Sequence, residues 1–298
     1  MTKKINYEKL NYNEIISEIV KKKEFSDLPR EDVELVYSKF KDEEFVEDRI
    51  KKTREMLMKM YTAFVSNKLL NVKDKDVEWF LKRHKSTSER FDYYEDVYRR
   101  CLRDFSSAVP QTALHCPLPK GHKNLLSQAV RTTKIKREKL SIIDFGCGVN
   151  GFSYGYFKKV GFDVNYVGVE PVGQLVDLQN NYFEKNKIFD ARCVKASLFD
   201  LKKVKGIVEG VKGMKIGFFF KVLDSLEMLK RNYSKEVLKE LVPMFDRFIV
   251  SWATKSLGDR KRIFANKKWL KEFIDEEFFI TDEFEIGGEK YLVFEVMS

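Results

Sequence analysis

The stretch that decides the fold is SIIDFGCG, residues 141–148, in which a run of apolar residues leads directly into a glycine turn. Gly146 and Gly148 lack a Cβ atom, so the backbone of this turn can approach a ligand closely. In open α/β sheets, ligands bind outside the carboxyl ends of the strands, which is where such a turn lies. The stretch therefore predicts a ligand-binding turn at the end of a buried parallel strand.

A second strand-like run, YVGVE at 166–170, ends in a carboxylate 22 residues after Gly148. An acidic residue at the end of the second strand can accept hydrogen bonds from both hydroxyls of a ribose. We therefore expect Glu170 to hold the sugar of a nucleotide-like ligand that is bound at the glycine turn.

The identity of that ligand depends on the residues around the glycines. Gly146, Gly148 and Gly151 also satisfy the dinucleotide fingerprint Gly-x-Gly-x-x-Gly, so a nicotinamide dehydrogenase is an alternative. Asp144, however, stands two residues before the first glycine, where dehydrogenases usually have an apolar residue. This carboxylate favours S-adenosylmethionine as the cofactor and a methyltransferase as the protein class. A non-catalytic relic of the fold is a further alternative.

Downstream of this turn, strand-like and helical patterns alternate. Strands are predicted at 141–146, 165–170, 190–196, 215–222, 245–253, 278–285 and 290–297, and helices near 153–160, 172–185, 224–243 and 266–276. This alternation predicts an α/β fold with a mostly parallel sheet covered by helices. The last two strands flank Gly287 and Gly288, which predicts a terminal antiparallel hairpin. Such a hairpin is typical of a Rossmann-like class I methyltransferase sheet. In a dehydrogenase sheet, the strands are normally all parallel, including those at the edge.

The first 105 residues show the apolar spacing of helices instead, which predicts an all-α N-terminal domain. Helices are expected near 8–23, 31–41, 45–66, 75–83 and 87–105. Ser86 and Glu89 have the spacing of a capping box, with Ser86 as the N-cap. Residues 106–140 contain three of the six prolines and follow neither pattern. We therefore predict a helical domain over 1–105, a basic linker or loop over 106–140 and a cofactor-binding domain over 141–298.

The formal net charge of +10 is concentrated in two segments. Residues 106–140 contain seven basic residues and one acidic residue, and residues 255–271 have the same balance. Focused basic segments suit a polyanionic partner such as RNA, although two solvated loops would give the same pattern.

Several protein classes fit the sequence poorly. No apolar run approaches the roughly 20 residues that span a bilayer, and the N-terminus lacks the apolar stretch of a signal peptide. Four cysteines without paired spacing suit a reducing compartment. His115, Cys116 and His122 offer three metal ligands in one loop but no fourth, so we expect no metal site. We expect a cytoplasmic monomer that binds neither a membrane nor DNA.

Four stretches of the chain resemble a known family. RHKSTSER at 83–90 is similar to the His-x-Ser-Thr-x-Glu-Arg motif of the FmrO-type (aminoglycoside-resistance) 16S rRNA (guanine-N7) methyltransferases, and DFGCGVN at 144–150 is similar to their cofactor turn. FKVL at 220–223 and SWATKSLGDR at 251–260 resemble two later motifs. The matches occur in the same order along the chain, although Gly151-Phe152 and Trp252-Ala253 depart from the family pattern.

The resemblance implies S-adenosylmethionine as the cofactor and assigns seven residues to its binding: Arg90, Asp144, Gly146, Gly148, Glu170, Asp200 and Lys221. Arg90 would pair with the methionine carboxylate through its guanidinium, which is suited to this contact. Glu170 would hold the ribose, and Asp200 would reach the adenine amine.

The resemblance also implies the substrate, which is guanine N7 in small-subunit (16S) rRNA. Lys255, Ser256 and Arg260 would lie on the loop that faces the flipped guanine and its flanking phosphates. Trp252, in the same predicted substrate loop, would either stack on a base or close the core. The N-terminal helices would dock on the folded RNA of the small ribosomal subunit.

Transfer of a methyl group from a sulfonium ion needs alignment more than acid–base chemistry. Guanine N7 carries no proton, and the chain lacks the Asp/Asn-Pro-Pro-Tyr segment that is used to methylate exocyclic amines. We therefore expect no strictly required catalytic residue. Methylation of another rRNA or tRNA nucleotide, and a non-catalytic RNA-binding or ribosome-assembly factor, are the alternative hypotheses.

Overall fold

The computed structural model describes residues 6–62, 75–105, 139–254 and 267–297. These ranges contain one seven-stranded sheet, with strand order β3-β2-β1-β4-β5-β7-β6. The strands are β1 (Leu140–Phe145), β2 (Val164–Glu170), β3 (Ala191–Lys195), β4 (Lys215–Phe220), β5 (Arg247–Ala253), β6 (Phe278–Ile286) and β7 (Glu289–Val296). The first five strands are parallel, β7 is antiparallel to β5, and β6 is antiparallel to β7. The predicted α/β fold class is confirmed.

The middle of the sheet is formed by near-continuous apolar strands, as expected where helices cover both faces of a parallel sheet. In β1, every residue after Leu140 is buried. Asp144 at its carboxyl end lies beside Gly168 of β2 and Phe218 of β4 in the strand register. The carboxyl ends of these strands therefore meet at one edge of the sheet, which is the edge that the glycine turn follows.

Helices follow most strands, and two of them differ from the prediction. The helices after β1 are Tyr154–Lys159, Gly173–Lys185, Leu201–Glu209, Leu223–Leu229, Tyr233–Leu241 and Lys268–Glu277, with 3-10 turns at Asn150–Ser153 and Val242–Met244. The sequence pattern missed Leu201–Glu209, a short helix that contains Gly206. The single helix predicted over 224–243 is wrong, because Asn232 adopts a left-handed backbone (φ 62°) and divides it into two.

The N-terminal segment is helical, as predicted. Its helices are Tyr12–Val20, Arg30–Ser38, Val46–Leu57, Val77–Arg83, Lys85–Ser88 and Tyr94–Cys101, with 3-10 turns at Tyr7–Lys9 and Phe91–Tyr93 and a π-helix at Met58–Thr62. Within the described residues, no helix is long and apolar enough to cross a membrane.

The predicted capping box at Ser86 and Glu89 is wrong. Ser86 lies inside the four-residue helix Lys85–Ser88, and the Glu89 carboxylate accepts a hydrogen bond from Nζ of Lys221 instead. A charged partner from the sheet is a stronger attraction than a backbone amide for this carboxylate. A capping box forms at Asn11 and Glu14, where each side chain accepts the backbone amide of the other residue.

The N-terminal helices and one face of the sheet share a single cluster of buried side chains. Phe80 stacks on Phe152 with ring centroids 4.5 Å apart, and Tyr98 stacks on Phe157 at 4.1 Å. These aromatic pairs join the helices before residue 105 to the segment that follows β1. The division into domains at 105 and 140 stays a prediction, since most of the predicted linker lies outside the described residues.

Replacement of Phe80 by alanine tests this shared core. Removal of a buried phenylalanine typically costs about 3–5 kcal/mol of folding free energy, because contacts are lost and a cavity remains. We expect urea denaturation of the Phe80→Ala protein to show that loss. Phe189→Ala is the matched control, because Phe189 is 87% exposed and its loss should change stability by less than about 0.5 kcal/mol. Equal stability of the two variants would contradict a core that extends through Phe80.

Candidate cofactor site

A cleft with about 870 Å³ of empty space, its open mouth included, lies at the carboxyl edge of the sheet. Its floor is the turn after β1 and the ends of β2 and β4, and its remaining walls come from the loops after β3 and β4 and from the N-terminal helices. Six of the seven predicted cofactor residues line it: Arg90, Asp144, Gly146, Gly148, Glu170 and Lys221.

The glycine turn has the backbone conformation that requires glycine. Gly146 (φ 61°) and Gly148 (φ 55°) are both left-handed, and a Cβ atom at Gly148 would lie 3.0 Å from Cε1 of His84. The amide of Gly146 donates to the carbonyl oxygen of Val169 at 2.7 Å, which ties the turn to β2. A side chain at either glycine would be strained and would enter occupied space.

Glu170 connects the glycine turn to the start of the next helix. One carboxylate oxygen accepts the amide of Gly148 at 2.8 Å, and the other accepts the amide of Val172 at 3.0 Å. Burial raises the pKa of Glu170 to about 7, although both amide bonds oppose this shift. The carboxylate that was predicted to hold a ribose therefore lies in the cleft, beside the turn.

Asp144 lies beneath the turn. Its Oδ2 accepts hydrogen bonds from Nδ2 of Asn150 at 2.7 Å and from the hydroxyl of Tyr166 at 2.8 Å. Burial raises the pKa of Asp144 to about 6 despite these two donors. The side chain thus faces both the cleft and a buried polar network behind it.

Arg90 is buried, with 1% of its side chain exposed, and it reaches three acceptors. Nη2 donates to Oε1 of Glu289 at 2.6 Å, Nη1 to Oδ1 of Asn150 at 3.2 Å, and Nε to the hydroxyl of Tyr291 at 3.0 Å. The guanidinium also lies 4.4 Å from the centroid of the Phe220 ring. These contacts fix the guanidinium plane at the wall of the cleft.

Glu289 is the centre of a buried charge cluster that the sequence did not reveal. Its carboxylate pairs with Arg90 and, at 3.1 Å, with Nζ of Lys221, and it accepts the hydroxyl of Ser251. Burial alone raises the pKa of Glu289, but Arg90 and Lys221 outweigh it and hold the pKa below its ordinary value. Lys221 itself has a left-handed backbone (φ 60°), which turns the chain sharply at the end of β4.

His84 completes this wall of the cleft. The ring is buried beside Gly148, and burial, together with the charges of Arg90 and Lys221, lowers the pKa of His84 to about 3. The imidazole is therefore neutral near pH 7, which avoids a third positive charge in the cluster.

The structure places the other predicted site residues away from the cleft or leaves them undescribed. Asp200 is the N-cap of the helix Leu201–Glu209, where it accepts the amide of Lys203 at 3.0 Å, and its neighbour Phe199 lines the cleft. Trp252 is 6% exposed and belongs to the buried cluster beneath the helix Lys268–Glu277. The predicted substrate residues Lys255, Ser256 and Arg260 lie outside the described residues, as do His115, Cys116 and His122. In the described ranges, no group of three or more His, Cys, Asp or Glu residues could hold a metal ion.

Comparison with known proteins shows the fold. No protein-family model and no curated protein sequence matches the chain. The structure of the 16S rRNA methyltransferase RmtF in complex with S-adenosyl-L-homocysteine matches with a TM-score of 0.68 at 17% identity, over 97% of this chain and 100% of that one. The 16S rRNA methylase RmtB gives 0.67 at 19% identity, over 96% and 99%, and an rRNA methylase from Escherichia coli gives 0.67 at 19%, over 96% and 100%. At these identities the likeness shows the shared fold alone, and it includes the N-terminal helices.

Replacement of Glu289 tests the charge cluster. Glu289→Ala would leave Arg90 buried without its anion, and breaking such a pair typically costs about 3–5 kcal/mol. We expect this loss in a urea unfolding curve at pH 7. The matched control is Glu283→Ala in the same hairpin, where Glu283 is partly exposed and pairs with Lys271 and Lys290. Partly exposed pairs contribute up to about 1 kcal/mol, so similar losses in both variants would contradict the burial of the Arg90–Glu289 pair.

Proposed function

We propose that this protein is an S-adenosylmethionine-dependent RNA methyltransferase that transfers a methyl group to guanine N7 of small-subunit rRNA. One observation carries the cofactor assignment: the glycine turn, the Glu170 carboxylate and the Arg90 guanidinium all line a single cleft at the carboxyl edge of the sheet. The carboxylate suits ribose hydroxyls, the guanidinium suits a methionine carboxylate, and the glycine turn lets the ligand approach the backbone between them.

The ribose would lie against Glu170. An ionised carboxylate has about four acceptor sites, and the amides of Gly148 and Val172 occupy two of them. The remaining lone pairs can accept the two ribose hydroxyls without loss of the backbone contacts. Adenine would lie on the apolar wall formed by Leu198, Phe199 and Leu226.

The methionine carboxylate would lie against Arg90. The guanidinium has five N–H donors, and contacts within the described part of the chain use three of them. A ligand carboxylate can therefore bind without displacing Glu289. Lys221 and Asp144 flank the same end of the cleft, where the ligand's charged amino acid portion would lie.

The choice of an RNA substrate rests on charge and on the neighbours. The segments 106–140 and 255–271 each carry six net positive charges, which suits a polyanion. The matched structures are those of rRNA methyltransferases, and RmtF was solved with S-adenosyl-L-homocysteine. We propose that Lys255, Ser256 and Arg260 form the side of the site that receives the flipped guanine, whereas the buried Trp252 packs in the core.

Transfer of a tritiated methyl group tests this function. We expect label from S-adenosylmethionine to enter 16S rRNA when 30S particles are offered, and less or none when 50S particles or total tRNA are offered. Cleavage of the labelled RNA by borohydride and aniline, which occurs at N7-methylguanosine, should map the base. Label only in tRNA, or label at an exocyclic amine, would contradict the substrate proposed.

Two variants separate the cofactor and RNA roles in this assay. Arg90→Lys keeps the charge but loses the planar fork, so binding of S-adenosylhomocysteine in calorimetry should weaken by about tenfold or more. Lys255→Ala should leave that binding unchanged and lower methyl transfer. Loss of cofactor binding in Lys255→Ala would contradict the assignment of Lys255 to the substrate.

The pKa of Glu170 predicts the pH dependence of cofactor binding. Because burial raises the pKa of Glu170 to about 7, the ionised form that accepts two hydroxyls becomes dominant only above that pH. Affinity for S-adenosylhomocysteine should therefore increase from pH 5.5 to pH 8, by up to about tenfold per pH unit below the pKa. Glu170→Gln should bind more weakly and show a flat profile, and an unchanged slope in that variant would rule out Glu170 as the titrating group.

A further inference from the structure

Two residues of the N-terminal segment line the cofactor cleft although no sequence motif marks them. The helix Val46–Leu57 continues into the π-helix Met58–Thr62, which places Met60 and Tyr61 in the cleft wall. A π-helical turn is rare and occurs frequently at functional sites. Its position here brings an aromatic ring to the cleft from outside the sheet.

The Tyr61 ring is held in place by its hydroxyl. That hydroxyl donates to Oδ2 of Asp32 at 2.8 Å, and Asp32 is itself buried at 1% exposure. Ser197, in the loop after β3, lies close enough to Asp32 to lower the pKa of its carboxyl, although burial raises that pKa overall. Asp32 therefore holds the Tyr61 hydroxyl close to the loop that contributes Ser197, Leu198 and Phe199 to the cleft wall.

The π-helical turn also contacts the helix after β4. The carbonyl oxygen of Met60 accepts a hydrogen bond from the hydroxyl of Ser225 at 3.3 Å, and Ser225 lies in the helix after β4. The π-helix thus connects the loop after β3 to the helix after β4. Those are the two sheet-edge segments that hold the apolar wall assigned above to adenine.

We propose that the Tyr61 ring covers the nucleoside half of the cofactor, so that the N-terminal segment completes the nucleotide site. This inference rests on the proposed function, because it uses the ligand orientation set by Glu170 and Arg90. Tyr61 and Glu170 line the same cleft, and the carboxylate is close enough to act electrostatically on the tyrosine. A ring that is immobilised by Asp32 offers a flat apolar face at little entropic cost.

A consequence is coupling between the cofactor and the N-terminal helices. A ligand that contacts Tyr61 stabilises the conformation of the helix Val46–Leu57 and its π-helical end. If those helices dock on RNA, as proposed, the two binding events assist each other by equal factors.

Calorimetry with two ligands gives the sharpest test. One is S-adenosylhomocysteine, and the other is 5′-deoxy-5′-methylthioadenosine, which has the nucleoside but lacks the amino acid portion. Tyr61→Leu removes the ring and should weaken both ligands about tenfold, as expected for loss of one stacking contact. Tyr61→Phe keeps the ring and should bind both within about threefold of the original protein. Arg90→Lys should weaken S-adenosylhomocysteine alone.

The control is Tyr12→Ala, which removes a half-exposed aromatic ring from the same helical segment and should change neither affinity. If Tyr61→Leu binds each ligand as tightly as the original protein does, the inference is overturned and the proposed function is left intact. Failure of the original protein to bind S-adenosylhomocysteine would instead overturn the proposed function, and the inference with it.

A measurement on the unsubstituted protein covers the case in which Tyr61→Leu does not fold. Addition of 5′-deoxy-5′-methylthioadenosine should slow amide hydrogen exchange in peptides that span residues 56–62. It should leave peptides from the helix Tyr12–Val20 unchanged. Unchanged exchange in 56–62 at saturating ligand would overturn the contact.

Discussion

The Glu170 carboxylate accepts backbone amides from Gly148 and Val172, and this double contact fixes the geometry of the cleft. It joins the turn after the first strand to the end of the second, so the two left-handed glycines are held where a ligand can approach them. The contact also buries an acid, which raises the pKa of Glu170 to about 7. The carboxylate therefore stabilises the turn and, in the proposed function, becomes the acceptor for the ribose hydroxyls.

The opposite wall depends on a contact between distant parts of the chain. Arg90 and Glu289 are 199 residues apart, yet they form a buried pair that joins the N-terminal helices to the terminal hairpin. A buried pair of this kind is poor evidence for added stability, but it specifies one arrangement of its partners. Asn150 extends the pair towards Asp144, so the guanidinium and the buried aspartate are oriented by the same amide. The same polar contacts thus join distant parts of the fold and orient the side chains that line the cleft.

The sequence predicted most elements that depend on local pattern, although it missed the helix Leu201–Glu209 and the helix break at Asn232. It also missed contacts between residues that are far apart in the chain. All seven strands were predicted: the central parallel strands are near-continuous apolar runs, and the last two strands flank Gly287 and Gly288. The capping box failed because Lys221, far along the chain, attracts Glu89. Glu289 and Tyr61 carry no local signal, since the hairpin places the first and a π-helix places the second. Arg90 was predicted only through family resemblance, as its spacing alone suits a surface cation.

In the proposed function, a sulfonium nucleotide binds between the glycine turn, Glu170 and Arg90. A crystal structure of the protein with S-adenosylhomocysteine tests it most directly. We expect ribose oxygens within hydrogen-bond distance of the Glu170 carboxylate, and the amino acid carboxylate of the ligand on the guanidinium of Arg90. Difference density for the ligand at another surface, or an empty cleft at saturating ligand, would contradict it.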